Sequence, residues 1–180
     1  MKSIYVALCW VVVMMLGLPA CSDDNGEIID PYTEEQKIWI ADNQAYFQDQ
    51  KEALVDGKLV YKQLVVGKDT VLYRLLGEAG KVDSLPKPNS DIKVSIKAEL
   101  PVSKAVFIGD KDKNPVDLTI RPNDPSVIKG LSAVLMQVRK GEKIEAIIPY
   151  QLGYGDQDYP EYAIPLFSTL QFTFTVKDFD

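Results

Sequence analysis

Residues 124–149 read DPSVIKGLSAVLMQVRKGEKIEAIIP, and the change of hydrophobic period inside this stretch decides the fold. Asp124 offers a capping oxygen and Pro125 suits the first helical position, so a helix is expected to start here. Ile128, Leu131, Leu135 and Val138 continue it at helical spacing. Gly141 ends it, with Arg139 and Lys140 at the negative end of its dipole. Lys143 to Pro149 is then a strand. On either side lie segments of period two. Ile92, Val94, Ile96, Ala98 and Leu100 alternate with Lys93, Ser95, Lys97 and Glu99, and Leu170, Phe172, Phe174 and Val176 alternate with Gln171, Thr173, Thr175 and Lys177. Strands with one wet and one buried face are characteristic of antiparallel sheets. A single short helix inserted among them makes an α+β arrangement in which the helix covers the sheet's apolar face.

Val60 to Val66 and Val71 to Leu76 are short β-like runs joined by Gly67-Lys68-Asp69-Thr70, which has turn composition and predicts a hairpin. Leu85-Pro86-Lys87-Pro88-Asn89-Ser90 is a loop, because two prolines forbid regular pairing. Thr33-Glu34-Glu35-Gln36 is a capping box. The helix it opens is expected over about 33–55, carrying Trp39, Ile40, Tyr46, Phe47 and Leu54 until Asp56-Gly57 stops it. Its apolar residues are there to pack on the domain or on a partner.

The extreme N-terminus is of another kind. Lys2 precedes an apolar run, Ile4 to Leu18, which is shorter than the roughly 20 residues a membrane span needs and ends in Leu18-Pro19-Ala20-Cys21. These are the parts of a signal peptide, and its ending resembles a lipobox, so Cys21 is expected to carry lipid. Ser22-Asp23-Asp24-Asn25-Gly26-Glu27 reads as a flexible acidic tether. It also resembles the acidic signal that sends some lipoproteins to the outer face of the outer membrane. The only other cysteine, Cys9, would leave with the leader, so no thiol chemistry remains. Histidine is absent, which excludes Ser-His-Asp and Cys-His catalysis and histidine zinc sites. Beyond the leader, 19 basic residues face 26 acidic ones, a charge near −7 that repels nucleic acid.

Five blocks in order carry a family resemblance: Val127-Ile128-Lys129-Gly130-Leu131; Met136-Gln137-Val138-Arg139-Lys140-Gly141-Glu142-Lys143; Ile147-Ile148-Pro149-Tyr150-Gln151-Leu152-Gly153-Tyr154-Gly155; Ile164-Pro165; and Thr169-Leu170-Gln171-Phe172. Together, over about 71–179, they resemble the FKBP-type peptidyl-prolyl cis-trans isomerases. The resemblance implies a twisted antiparallel sheet wrapped around one short helix, with an apolar pocket for proline between them and no cofactor. It implies catalytic positions at Tyr154, whose hydroxyl would donate to a substrate carbonyl, at Ile128, whose backbone amide would donate to another, and at Phe107. Val127, Leu131, Ile164 and Phe172 would complete the pocket and bind substrate. The flanking glycines of Gly153-Tyr154-Gly155 independently point to an exposed loop, where a large ring needs a reason.

Three departures from the family's pattern bear on catalysis. The aromatic-acidic pair after the second strand is Phe107-Ile108 here, so its acid is lost unless Asp110 replaces it. The tryptophan of the pocket floor is Leu131, and the tyrosine expected near Ile96 is absent. The expected organisation is a signal peptide 1–20, a lipidated tether 21–32, an N-terminal helix 33–57 and an FKBP-like domain 58–180. The expected function is a lipid-anchored isomerase acting on proline-containing polypeptides, facing the periplasm or exposed at the outer membrane. The alternative is a catalytically weak or inactive FKBP-like module that binds peptides or a partner, the latter through helix 33–55. Asp110-Lys111-Asp112-Lys113-Asn114 imitates a calcium loop, but Pro115 and Arg121 stand where glycine and glutamate are needed.

Overall fold

Alternation along Ile92–Leu100 and Leu170–Asp178 becomes strict alternation of burial: every apolar residue of the two series is nearly inaccessible, and their neighbours are part-exposed or exposed. In the computed structural model, residues 30–80 and 84–180 are described, so the leader, Cys21 and most of the tether lie outside the described residues. Contacts divide the chain into units 1–31 and 32–180, and the fold below is that of the second.

Chain order is α1 (Glu34–Glu52), β1 (Leu54–Val55), β2 (Lys58–Leu59), β3 (Lys62–Val66), β4 (Asp69–Leu75), β5 (Ile92–Leu100), β6 (Ala105–Ile108), β7 (Val116–Ile120), α2 (Lys129–Leu135), β8 (Lys143–Ile148) and β9 (Leu170–Asp178). Seven strands form one antiparallel sheet in the order β3-β4-β8-β9-β5-β6, with β7 pairing further along β5. Register sets Phe172 opposite Ala146 and Ala98, and Phe174 opposite Ile144 and Ile96. The two phenylalanines thus sit mid-sheet on the face that α2 covers with Leu131, Val134 and Leu135. The fold is α+β, a twisted antiparallel sheet around a short helix plus an N-terminal helix, as the sequence implies.

Three local readings need correction. Asp124 does not cap α2: its carboxylate accepts from the Ser126 amide and hydroxyl, closing a turn, and the helix begins five residues later at Lys129 with no side-chain cap. The helix also stops at Leu135, so Arg139 and Lys140 lie beyond its last turn. Finally, α1 ends at Glu52. Asp56 (φ 51°) and Gly57 (φ 73°) both adopt positive φ and turn a two-stranded hairpin, because Asp-Gly satisfies a type I′ turn as readily as it stops a helix. Leu54 therefore sits on β1 with 61% of its surface exposed instead of lying on α1's packing face.

The capping box does form, with Gln36 Oε1 accepting from the Thr33 amide at 2.9 Å and Thr33 Oγ1 from the Gln36 amide at 3.2 Å. The helix packs on the domain, against the sheet face opposite α2. Phe47 joins Tyr61, Leu72 and Ile147 in a second buried cluster there. Asn43, fully buried, accepts from the Thr169 amide at 2.8 Å through its side chain, and its carbonyl accepts from the Thr169 hydroxyl at 3.0 Å. Tyr46 donates to Gln171 of β9 at 3.0 Å.

Candidate functional site

The residues singled out for the pocket come from five places in the chain, and the fold brings them into one cluster. Phe172, Leu131 and Ile164 are buried, with exposures of 1%, 5% and 1%, in one cluster, and are the residues that would floor a proline pocket. Phe107, Val127, Ile128 and Tyr154 are partly buried and pack against the same cluster.

A fault in strand register aims Phe107. Ala98 pairs Ile108 and Glu99 pairs Val106, which leaves Phe107 as the extra residue of a β-bulge. Bulges bend a strand and redirect a side chain. The Phe107 ring meets Phe172 edge-on at 5.8 Å and Tyr154 at 6.5 Å.

The two expected donors are unengaged. Among the described residues no group accepts from the Ile128 amide, whose own carbonyl serves Ser132. Nor does any hydrogen bond there engage the Tyr154 hydroxyl, and burial, reinforced by Tyr162 and Tyr159, pushes its pKa above the usual phenol value. A raised pKa keeps the hydroxyl protonated, hence a donor, across neutral and mildly alkaline pH. Buried apolar side chains beside two unengaged donors suit a neutral prolyl amide, whose ring would meet the former and whose carbonyls would meet the latter.

Asp110 does not take the place of the missing acid. Its carboxylate accepts from the amides of Asp112 and Asn114 and from the Asn114 side chain, at 2.9, 2.7 and 3.1 Å, so it is consumed in closing its own exposed loop. Those bonds also hold its pKa below the ordinary carboxylate value.

Tyr159 adjoins this cluster and is not among the residues the family resemblance names. Its ring lies 4.8 Å from that of Tyr154, and its backbone is bridged to Ile164 by two hydrogen bonds of 2.8 and 3.1 Å. The sequence signal was Tyr159-Pro160, but nothing in the spacing revealed that the loop folds back on the floor residue Ile164. A hollow of about 520 Å³ opens elsewhere, beside α1, lined by Ala45, Gln48, Lys68, Tyr150, Phe167 and Thr169.

A sequence profile of the FKBP-type peptidyl-prolyl cis-trans isomerases matches residues 83–177. A probable FKBP-type peptidyl-prolyl cis-trans isomerase of Haemophilus influenzae is 32% identical over 134 residues, covering 71% of this chain and 53% of that protein. The FKBP-type peptidyl-prolyl cis-trans isomerase FkpA of Buchnera aphidicola is 29% identical over 136 residues, covering 73% and 52%. The chain thus spans about half the length of these two relatives. The crystal structure of FkpA from Escherichia coli superposes with a TM-score of 0.62 at 28% identity, over 81% of this chain and 63% of that one. A peptidyl-prolyl cis-trans isomerase from Pseudomonas syringae, at 21% identity and a TM-score of 0.62 over 84% of this chain and 99% of that one, shares the fold.

Proposed function

This chain belongs to the FKBP-type peptidyl-prolyl cis-trans isomerase family, and from that premise we propose that it catalyses rotation about X-Pro bonds of exported polypeptides, held at the membrane by lipid on Cys21. Rotation about such a bond is slow because amide resonance raises a barrier of about 18–20 kcal/mol. A site lowers the barrier by binding the twisted amide better than the planar one. Here the proline ring would rest on Phe172, Leu131 and Ile164. The twisted amide has lost charge separation, so it gives up less on leaving water for that apolar surface. Tyr154 and the Ile128 amide would hold the flanking carbonyls, keeping the peptide in place while the bond turns. The reading is carried by the meeting of Phe107, Tyr154 and Phe172 beside two unengaged donors.

A protease-coupled assay on a short prolyl peptide tests it. Tyr154→Phe is expected to lower kcat/KM roughly tenfold, the worth of one hydrogen bond of about 1.4 kcal/mol. Wild-type turnover equal to the buffer rate would sink the isomerase reading. The second reading, a peptide- or partner-holding module, is favoured by Leu131, Ile108 and the consumed Asp110, which would leave a pocket there with fewer polar handles. Peptide binding without turnover would establish it.

Anchoring and location rest on Leu18-Pro19-Ala20-Cys21 and on the tether of residues 21–32. A Cys21→Ser chain is expected to lose incorporation of labelled palmitate and to leave the membrane fraction. Equal labelling of the two chains would refute the lipid anchor. The acidic run after Cys21 resembles a signal for surface exposure and equally suits a solvated linker, and protease accessibility on intact cells would distinguish a surface-exposed from a periplasm-facing anchor.

A further inference from the structure

The family match begins at residue 83, so α1 lies outside it. Yet α1 is hydrogen-bonded to the loop that carries the pocket. One peptide unit, Leu166–Phe167, is held from both sides. Its carbonyl accepts from the Trp39 indole at 3.0 Å, and its N–H donates to the carbonyl of Gly155, the residue after Tyr154, at 3.0 Å. The torsion beside that peptide is unusual. Phe167 has φ 54°, a left-handed conformation that is costly for a residue with a Cβ and persists only where the surroundings impose it. The surroundings are visible: the Phe167 ring lies between Tyr150, at 4.7 Å, and Tyr32 on α1's flank, at 5.8 Å. Two residues on, Asn43 fixes Thr169, and on the other side the Leu166 amide donates to Asp158 at 2.9 Å. The segment 164–169 is therefore pinned at both ends, with the floor residue Ile164 at one end and β9 at the other.

We propose that α1 is a working part of the isomerase site, with Trp39 and Asn43 as positioning residues that set the Leu166–Phe167 peptide and, through it, the placement of Tyr154 and Ile164. This rests on the pocket described above being the reaction site. If the indole releases Leu166, the peptide is free to turn, Phe167 relaxes from positive φ, and Gly155 loses its donor. The helix thereby biases the loop toward the arrangement in which the phenol stands at the rim.

The test compares the full chain with Trp39→Phe, which keeps an aromatic ring and removes the N–H, and with Ile38→Ala, an exposed neighbour on the same helix, as control. Trp39→Phe is expected to lower kcat roughly threefold to tenfold with KM and melting temperature little changed, the scale of one positioning hydrogen bond. In the peptide-free protein the amide resonances of Gly155 and Ile164 and the ring signals of Tyr154 should shift in Trp39→Phe and stay in place in Ile38→Ala. Unchanged resonances and unchanged kcat in Trp39→Phe would overturn the proposal. If the wild type proves inactive, the reading of function falls but the resonances still decide whether α1 positions the loop. A fall in melting temperature with those resonances unmoved would assign Trp39 a purely structural role and likewise overturn it.

Discussion

Glu145 is nine-tenths buried beneath α1, and its three partners explain why a carboxylate is tolerated there. Tyr61 donates to it at 2.6 Å, Arg74 pairs with it at 2.7 Å and Gln171 donates at 3.2 Å, while the Arg74 guanidinium lies 4.9 Å from the centre of the Tyr61 ring. Burial first, then the hydrogen bond to Glu145 and its charge, push the Tyr61 pKa well above the usual phenol value. A pKa raised on folding stabilises the protein at pH values below that of the unfolded phenol, about 10, and this stability is lost as pH rises beyond it. Urea midpoints of the wild type should thus fall steeply above about pH 10. Tyr61→Phe should begin about 1–2 kcal/mol less stable at pH 7 and lose less on the same climb. Parallel curves would show that the phenol does not titrate with folding. None of this was legible in the sequence. Glu145 reads as an exposed strand residue and Asn43 as a surface helix residue, because one chain's pattern does not say that a second layer will cover the sheet's wet side.

Among the elements, the strands were the most legible and the short helix the least. Period-two burial is a local consequence of the pleat, so Ile92–Leu100 and Leu170–Asp178 could be assigned residue by residue. The hairpin of β3 and β4 was also foreseen, its two-residue connection placing Gly67 at φ 66°. The helix was overextended at both ends because Asp124-Pro125 serves a turn as well as a cap, and Val138 is buried by the sheet without being helical. What places α2 is closeness: a Cβ on Gly130 would collide with the Ile148 side chain and come within 3.2 Å of the Leu152 carbonyl. Gly130→Ala, although it improves helix propensity, should destabilise the fold by roughly 1–3 kcal/mol in urea titration, as overpacking does. A gain in stability would mean that α2 shifts freely on the sheet.

For the whole molecule, the sheet has a helix on each face, α2 against the aromatic core and α1 against Tyr61, Leu72 and Ile147. A chain starting at residue 58 should therefore expose these residues and lose the Asn43 and Tyr46 bonds, a deficit of at least about 3 kcal/mol from the lost apolar cover and hydrogen bonds. It is expected to melt lower than the full chain and to bind a hydrophobic dye. Equal melting curves would show α1 to be dispensable to the fold. The pocket divides in the same way. The family resemblance named Tyr154, Ile128, Phe107, Val127, Leu131, Ile164 and Phe172 together, and the structure packs these side chains in one cluster. The contact of Tyr159 with Tyr154 and the consumption of Asp110 were not legible, because each depends on how a loop closes on itself, and the pinning of Leu166–Phe167 by Trp39 was not, because it joins residues 127 positions apart. By itself the sequence determined the α+β class, the alternating strands and the family, for these follow from periodicity and short motifs that local backbone geometry enforces. Only the tertiary structure decided which helix covers which face and which loops meet at the rim, because those depend on apolar surfaces and hydrogen-bonding groups that find one another only when distant segments are packed together.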